Sequence, residues 1–315
     1  MRYRLALVPL FLLLTACATS DAGDSALFRF TDPRGDDYGD GSIAYPMSGD
    51  MQKGDLDLVA LAAYPASGGT LFVATFAQPI DVPARQTVDA IGTSLSDLAR
   101  YGFYTFNLDI YIDTDRQPGS GSVSMLPGRK AGIDPATAWE KAIVVTPDPG
   151  LARSELRRLL FNAERRDMKA GGEKMDESTM TAKRDQLRAN VEAYTFFPER
   201  IRIIGSRVEF FVPADFLGGG ARPEWAYVVA VSGADLVHRM DQRGRLLGSE
   251  VYDTLFILPV QVGRPLNAWG TNREDAENQP LIIDLIVPPG ADQKQILGDF
   301  AGARSAVIPG IVPGP

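Results

Sequence analysis

Phe103-Tyr-Thr-Phe-Asn-Leu-Asp-Ile-Tyr-Ile-Asp113-Thr-Asp115 is the stretch whose reading decides the fold. Side chains on a pleated backbone alternate between two faces, so a period of two marks a strand. One face here carries Tyr104, Phe106, Leu108, Ile110 and Ile112, an unbroken apolar row suited to a core. The other carries Thr105, Asn107, Asp109, Tyr111 and Asp113, a row expected to meet water, a cation or a polar ligand. Gln117-Pro-Gly-Ser-Gly-Ser122 then breaks the strand with turn residues. A central strand therefore delivers Asp113 and Asp115 to an exposed glycine-rich loop, the usual place for a site.

Working outward, Asp55 to Tyr64 and Thr70 to Gln78 read as a strand pair around Pro65-Ala-Ser-Gly-Gly69. Further strands are expected at 141–146, 200–204, 208–212, 225–232, 254–260 and 281–287, with a tight hairpin through Gly205-Ser206. Many strands separated by Gly/Pro turns point to an antiparallel β-sandwich rather than a doubly wound sheet. Residues 151–194 differ. Leu156, Leu159, Leu160 and Ala163 share one helical face, and Met180, Leu187, Val191 and Tyr194 share another, with a break at Gly171-Gly172. This predicts a helical hairpin inserted in the sandwich and packed on its side. Its acids and bases nearly cancel, which favours a solvated face over a membrane contact.

The N-terminus has the pattern of an export signal. Arg2 and Arg4 form a basic start, and Leu5 to Leu14 an apolar run too short to span a bilayer. Leu14-Thr15-Ala16-Cys17 resembles the lipobox of bacterial lipoproteins, which implies lipidation of Cys17 and removal of the leader. Cys17 is the only cysteine, so no disulfide is expected and a hydrophobic core must hold the chain. Ala18 rather than Asp after the cysteine favours the outer membrane, with the lipid as sole anchor. The expected organisation is 1–17 leader and lipobox, 18–26 tether, 27–300 sandwich with its insertion, and 301–315 a Pro/Gly-rich tail. A formal charge of −8, with 40 acidic against 32 basic residues, disfavours nucleic acid as a partner.

After the tether, four aspartates (Asp32, Asp36, Asp37, Asp40) and three glycines crowd one short loop. Carboxylates on flexible backbone suit a hard cation such as calcium, although the spacing is not that of an EF-hand and an acidic solvated turn reads equally well. Asp32-Pro-Arg-Gly-Asp-Asp-Tyr-Gly-Asp-Gly-Ser-Ile-Ala-Tyr-Pro46 resembles the opening of the C-terminal module of glucodextranase, which recurs in bacterial amylopullulanases. Asp55-Leu-Asp57-Leu, Leu108-Asp-Ile-Tyr-Ile-Asp113-Thr-Asp115, Leu126-Pro-Gly-Arg-Lys130 and Ala138-Trp139-Glu140-Lys-Ala142 follow in the family's order. The likeness is dense from Asp32 to about Val145 and thinner from Ile201 to Val287. It implies a sandwich similar to DOMON domains and family-nine carbohydrate-binding modules. Those are non-catalytic units that bind sugars, or haem in some branches, often with structural calcium. Two departures stand out: no catalytic domain accompanies the module, and the helical hairpin is an addition.

By this resemblance Asp32, Asp36 and Asp37 lead as calcium ligands, with Asp113 and Asp115 behind them. Sugar needs a flat aromatic face beside planar polar groups. Trp269, in the polar loop Leu266-Asn267-Ala-Trp269-Gly-Thr-Asn272, is the leading platform with Asn267 beside it, while Trp139 and Trp225 read as core. No Gly-x-Ser-x-Gly elbow, zinc signature or spaced acid pair marks an enzyme. The leading expectation is a non-catalytic lipoprotein of the cell envelope that recognises α-glucan or envelope polysaccharide. One alternative is an assembly lipoprotein that grips protein partners through the hairpin. Another is a haem-binding domain using the sole histidine, His238, with Met240 nearby.

Overall fold

The computed structural model describes residues 25–81, 94–173, 176–235 and 254–314. Two five-stranded sheets face one another. The first has the order β1 (Phe28–Thr31), β2 (Leu58–Ala66), β3 (Gly69–Phe76), β9 (Arg207–Pro213), β8 (Ile201–Ile204), antiparallel throughout. The second runs β13 (Asp284–Ile286), β10 (Ala226–Gly233), β4 (Phe106–Asp113), β6 (Lys141–Val145), β7 (Thr195–Phe196), antiparallel except at β6–β7. Two short parallel pairs flank them: β5 (Ala131–Ile133) with β14 (Ala306–Ile308), and β11 (Val260–Val262) with β12 (Trp269–Thr271). The predicted Gly205-Ser206 hairpin is present, with Ile204 opposite Arg207.

The core between the sheets is aromatic. Phe72 and Phe210, register partners on β3 and β9, stack at 5.4 Å and 6°. Phe28 packs on Tyr227 across the gap at 4.7 Å. Phe106, Leu108, Ile110 and Ile112 of β4 complete this layer, as the alternation predicts. Side chains of this size, fully buried, each contribute about 1.5–3 kcal/mol.

The other face of β4 departs from expectation. Asn107, Asp109, Tyr111 and Asp113 are all buried, because a second apolar layer covers that side of the sheet. Helices α2 (Pro149–Gly171) and α3 (Glu177–Tyr194) supply much of it through Ala152, Leu156, Leu159 and Val191. Buried polar groups need internal partners. Asp109 receives both Nε (2.6 Å) and Nη2 (3.0 Å) of buried Arg129. Tyr111 accepts from Leu126 N at 3.1 Å, and Asn107 donates to the Phe256 carbonyl at 2.6 Å. Tyr104 is buried as expected, but in this second layer.

The hairpin forms where its signals lie. Asp148 caps α2 by accepting from Leu151 N, with Pro149 in the first turn, and Gly172 closes it at φ 69°. Asp176 caps α3 at Thr179 N. Ion pairs Arg157–Glu192 and Lys183–Glu164 tie the helices together. Short helices α1 (Leu95–Leu98), α4 (Ala214–Leu217) and α5 (Gln293–Gly298) complete the inventory. No described helix is long and apolar enough to cross a membrane.

Two expectations fail. Only Val260 of 254–260 enters a strand, while Leu255 to Leu258 are buried in irregular backbone. Side chains satisfy that backbone in place of a ladder: Arg129 Nη1 donates to the Leu255 carbonyl at 2.7 Å, beside the Asn107 bond. Nor is 301–314 a loose tail. Ala306 and Ile308 are fully buried against β5, and Ile311 exchanges backbone hydrogen bonds with Tyr227 at 2.8 Å.

Candidate functional site

Asp32 continues the β1 ladder by one residue, its N–H donating to the Val59 carbonyl at 3.0 Å. The chain then turns at Gly35, whose φ of 82° favours glycine. The Gly35 N–H donates to Asp57 Oδ2 at 2.7 Å, drawing the loop onto the start of β2. Asp284, first residue of β13 and wholly buried, accepts from Leu58 N through Oδ2 at 2.5 Å and from Leu285 N through Oδ1 at 2.9 Å. Gln293 of α5 steadies the loop, donating to the Asp36 carbonyl at 2.6 Å. Edge strands of both sheets thus converge on one seam. There, oxygens of Asp32, Asp36 and Asp284 lie within 4.8 Å of one another.

The electrostatics of this seam are those of uncompensated negative charge. Burial, then the neighbouring charges of Asp36 and Asp57, pushes Asp32 up to about 8. Asp284 is held well above the usual carboxylate range by burial and then by Asp32. Asp36 and Asp57 are also raised, burial leading in each. Lys294 offsets part of the field at Asp36. Asp32 Oδ2, Asp36 Oδ1 and Asp57 Oδ1 are buried and accept no hydrogen bond, and Asp57 is 3% exposed. Oxygens each 2.3–2.6 Å from one calcium ion sit at most about 5 Å apart. The residues present therefore fit a hard cation: three converging carboxylates with the charge of Asp57 nearby, no nitrogen or sulfur, and oxygens of Asp32 and Asp36 that accept no hydrogen bond.

The structure revises the expected ligand set. Asp37 lies outside the converging group, its Oδ2 taken by the Tyr45 hydroxyl and by Gly54 N at 2.8 Å, so it shapes the loop. Asp284 was missed because its strand, Leu281-Ile-Ile-Asp-Leu-Ile-Val287, reads as core. A lone carboxylate in such a run was the available signal. Asp57 lay within a quoted family motif without being assigned a role.

Asp113 and Asp115 form a separate group with Glu140. Here nearly every oxygen already has a donor. Asp113 accepts from Arg116 N at 2.6 Å and pairs with its guanidinium. Asp115 accepts from Gln117 N and from the Ser120 hydroxyl at 2.8 Å, and Glu140 Oε2 accepts from Thr114 N at 2.8 Å, with Oε1 3.4 Å from the same Ser120 oxygen. The group locks the corner after β4.

None of the three tryptophans offers a stacking face. Trp269, the leading platform by sequence, is fully buried, edge-on to Tyr45 at 4.8 Å and against Gly233. Its polar neighbours are real, since Asn267 is exposed, but the loop folds over the end of the sandwich and turns the indole inward. Trp139 donates to the Ser124 carbonyl at 2.9 Å and packs on Tyr111, and Trp225 lies under Arg222. Both are buried, as their sequence context predicts. Cys17, His238 and Met240 lie outside the described residues.

The match to known families covers this whole architecture. Residues 27–310 match the family of the C-terminal binding module, SLH-like, of glucodextranase. The chain belongs to that family. The match runs through both sheets, the helical hairpin and the acidic seam, so the glucodextranase-type module here is a binding module with the hairpin built into it. A comparison with curated proteins finds no match.

Proposed function

We propose that this chain is a non-catalytic envelope lipoprotein that binds polysaccharide, α-glucan or cell-envelope glycan, with calcium at the seam of its sandwich. The observation that carries the reading is the binding-module match across residues 27–310. Asp32, Asp36 and Asp284 would hold the cation, with Asp57 adding negative charge nearby; the ion would supply positive charge to a buried acidic cluster and join the two sheets at their edges. Its role in this reading is to organise the module. The lipobox resemblance at Cys17 supports attachment to a membrane through a lipid in this reading, with the outer membrane as the destination favoured by Ala18.

The hairpin supports this reading over that of a partner-binding arm. Its apolar residues close the second face of the β4 sheet, and its charges pair across the two helices. Isothermal titration of the mature chain lacking Cys17, against α-glucans and envelope polysaccharides with and without calcium, tests the proposal. Saturable binding to at least one glycan is expected. No heat with any member of a broad glycan panel would overturn it.

A further inference from the structure

Among the described residues, the two sheets are treated differently. The second sheet is buried on both faces, whereas the outward face of the first has no layer over it. Its register arranges that face in rows. Tyr64, Leu71 and Phe211 are cross-strand neighbours on β2, β3 and β9, all half-buried. Strands lie about 4.8 Å apart, so the two rings sit about 10 Å apart with Leu71 between them. The adjacent row runs Arg29, Ala62, Val73, Glu209, Arg202 from β1 to β8, with the two arginines about 19 Å apart at its ends. Ala62 and Val73 lie in the middle of that row and Glu209 beside Arg202, so the face carries arginines at its two ends and aromatic rings in the next row.

The charge there runs against the rest of the molecule. On a chain of formal charge −8, this face presents Arg29, Arg200, Arg202 and Arg207 against Glu209 alone. None of the four arginines is in an ion pair within the described residues, although arginines elsewhere pair readily, as Arg153, Arg157, Arg158 and Arg273 do. Two of them are positioned by the rings: Arg29 donates to the Tyr64 hydroxyl at 2.8 Å, and Arg200 lies 4.2 Å over Phe211. A guanidinium fork matches a carboxylate in two parallel hydrogen bonds, and the half-buried Tyr64 ring offers a face to sugar C–H groups, while Phe211, covered by Arg200, orients that guanidinium.

We propose that the outward face of the first sheet is the polysaccharide site, and that its ligand is an acidic glycan bearing uronate carboxylates. This rests on the binding-module reading and names the surface and ligand class for it. A membrane is the poorer occupant, since Leu71 and Val73 are half-buried and no apolar side chain of this face is fully exposed. The exposed apolar side chains Met47, Val262 and Leu266 belong to β11 and to loops outside this sheet.

The test titrates the mature chain, in calcium, with oligogalacturonate, neutral dextran oligosaccharide and anionic phospholipid vesicles. Oligogalacturonate is expected to bind in a salt-sensitive manner. The double variant Arg29→Gln/Arg202→Gln should weaken it about tenfold. Arg165→Gln/Arg166→Gln, on the exposed hairpin, should leave it unchanged, with thermal unfolding of both variants as in the parent. Equal loss in both variants would mean general charge attraction and would overturn the site. Preference for dextran, indifferent to the arginines, would overturn the ligand class and leave the module reading standing. Binding to vesicles alone would overturn the inference, and silence from every glycan would sink the module reading itself.

Discussion

Stripped of divalent cations, the protein should lose stability as the pH rises through neutrality. Asp32 titrates near 3.8 when the chain is unfolded and at about 8 when folded. Between those values the folded chain holds a proton that the unfolded chain has released, so unfolding takes up fewer protons than it sheds and stability falls with rising pH. The contribution is complete below about pH 4 and is lost as the pH climbs through about 8. At about 1.36 kcal/mol per unit the gap sets a ceiling near 6 kcal/mol. Asp32 is only half-buried, and screening reduces this to about 2–3 kcal/mol. Asp284, raised in the same direction, adds to the slope. Urea denaturation in chelator at about pH 5 and about pH 8 would measure it. Millimolar calcium should reverse the sign, because the ion needs the carboxylates deprotonated, and at a hundred times its Kd should add about 2.7 kcal/mol. Asp32→Asn/Asp284→Asn should flatten both responses. A cation-free protein that is more stable at the higher pH would refute the reasoning.

Three further outcomes follow from the packing. Arg129→Met leaves Asp109 buried without its partner and should cost about 3–5 kcal/mol in urea, most of it regained when Asp109→Leu is added. Trp269→Ala should cost about 3–5 kcal/mol by opening a cavity in the core, with glycan affinity of the folded fraction retained; selective loss of affinity at parental stability would restore Trp269 as a platform. Gly233→Ala places a Cβ 2.5 Å from the Trp269 indole nitrogen and should destabilise by about 1–3 kcal/mol, read as a lower thermal midpoint.

Local pattern carried much of this fold. The period-two run at β4 and the capped helices of 149–194 are properties of contiguous residues, and both formed where the sequence places them. What lay on the far side of β4 was not local. Asp109 and Tyr111 look solvated until Arg129 and the second apolar layer arrive from elsewhere in the chain. The loop around Trp269 misled for a similar reason, since polar neighbours say where the backbone is wet and not where one indole points. The acidic seam was half legible. Asp32 and Asp36 shared a conspicuous loop, whereas Asp284 comes from a strand more than two hundred residues away. The arginine-bearing face was invisible, being assembled from five strands whose order only the pairing reveals.

The seam also bears on how the protein reaches its folded state. The Leu58–Asp284 bond closes a loop of 226 residues, one of the longest-range contacts in the chain. Closure entropy delays contacts of this kind until shorter ones have formed, so the sheets should be largely assembled before their edges meet. An ion seated at such a late contact would leave the folding rate nearly unchanged and slow unfolding instead. Calcium would then act as a latch on a finished module, and its signature in a chevron plot would be confined to the unfolding arm.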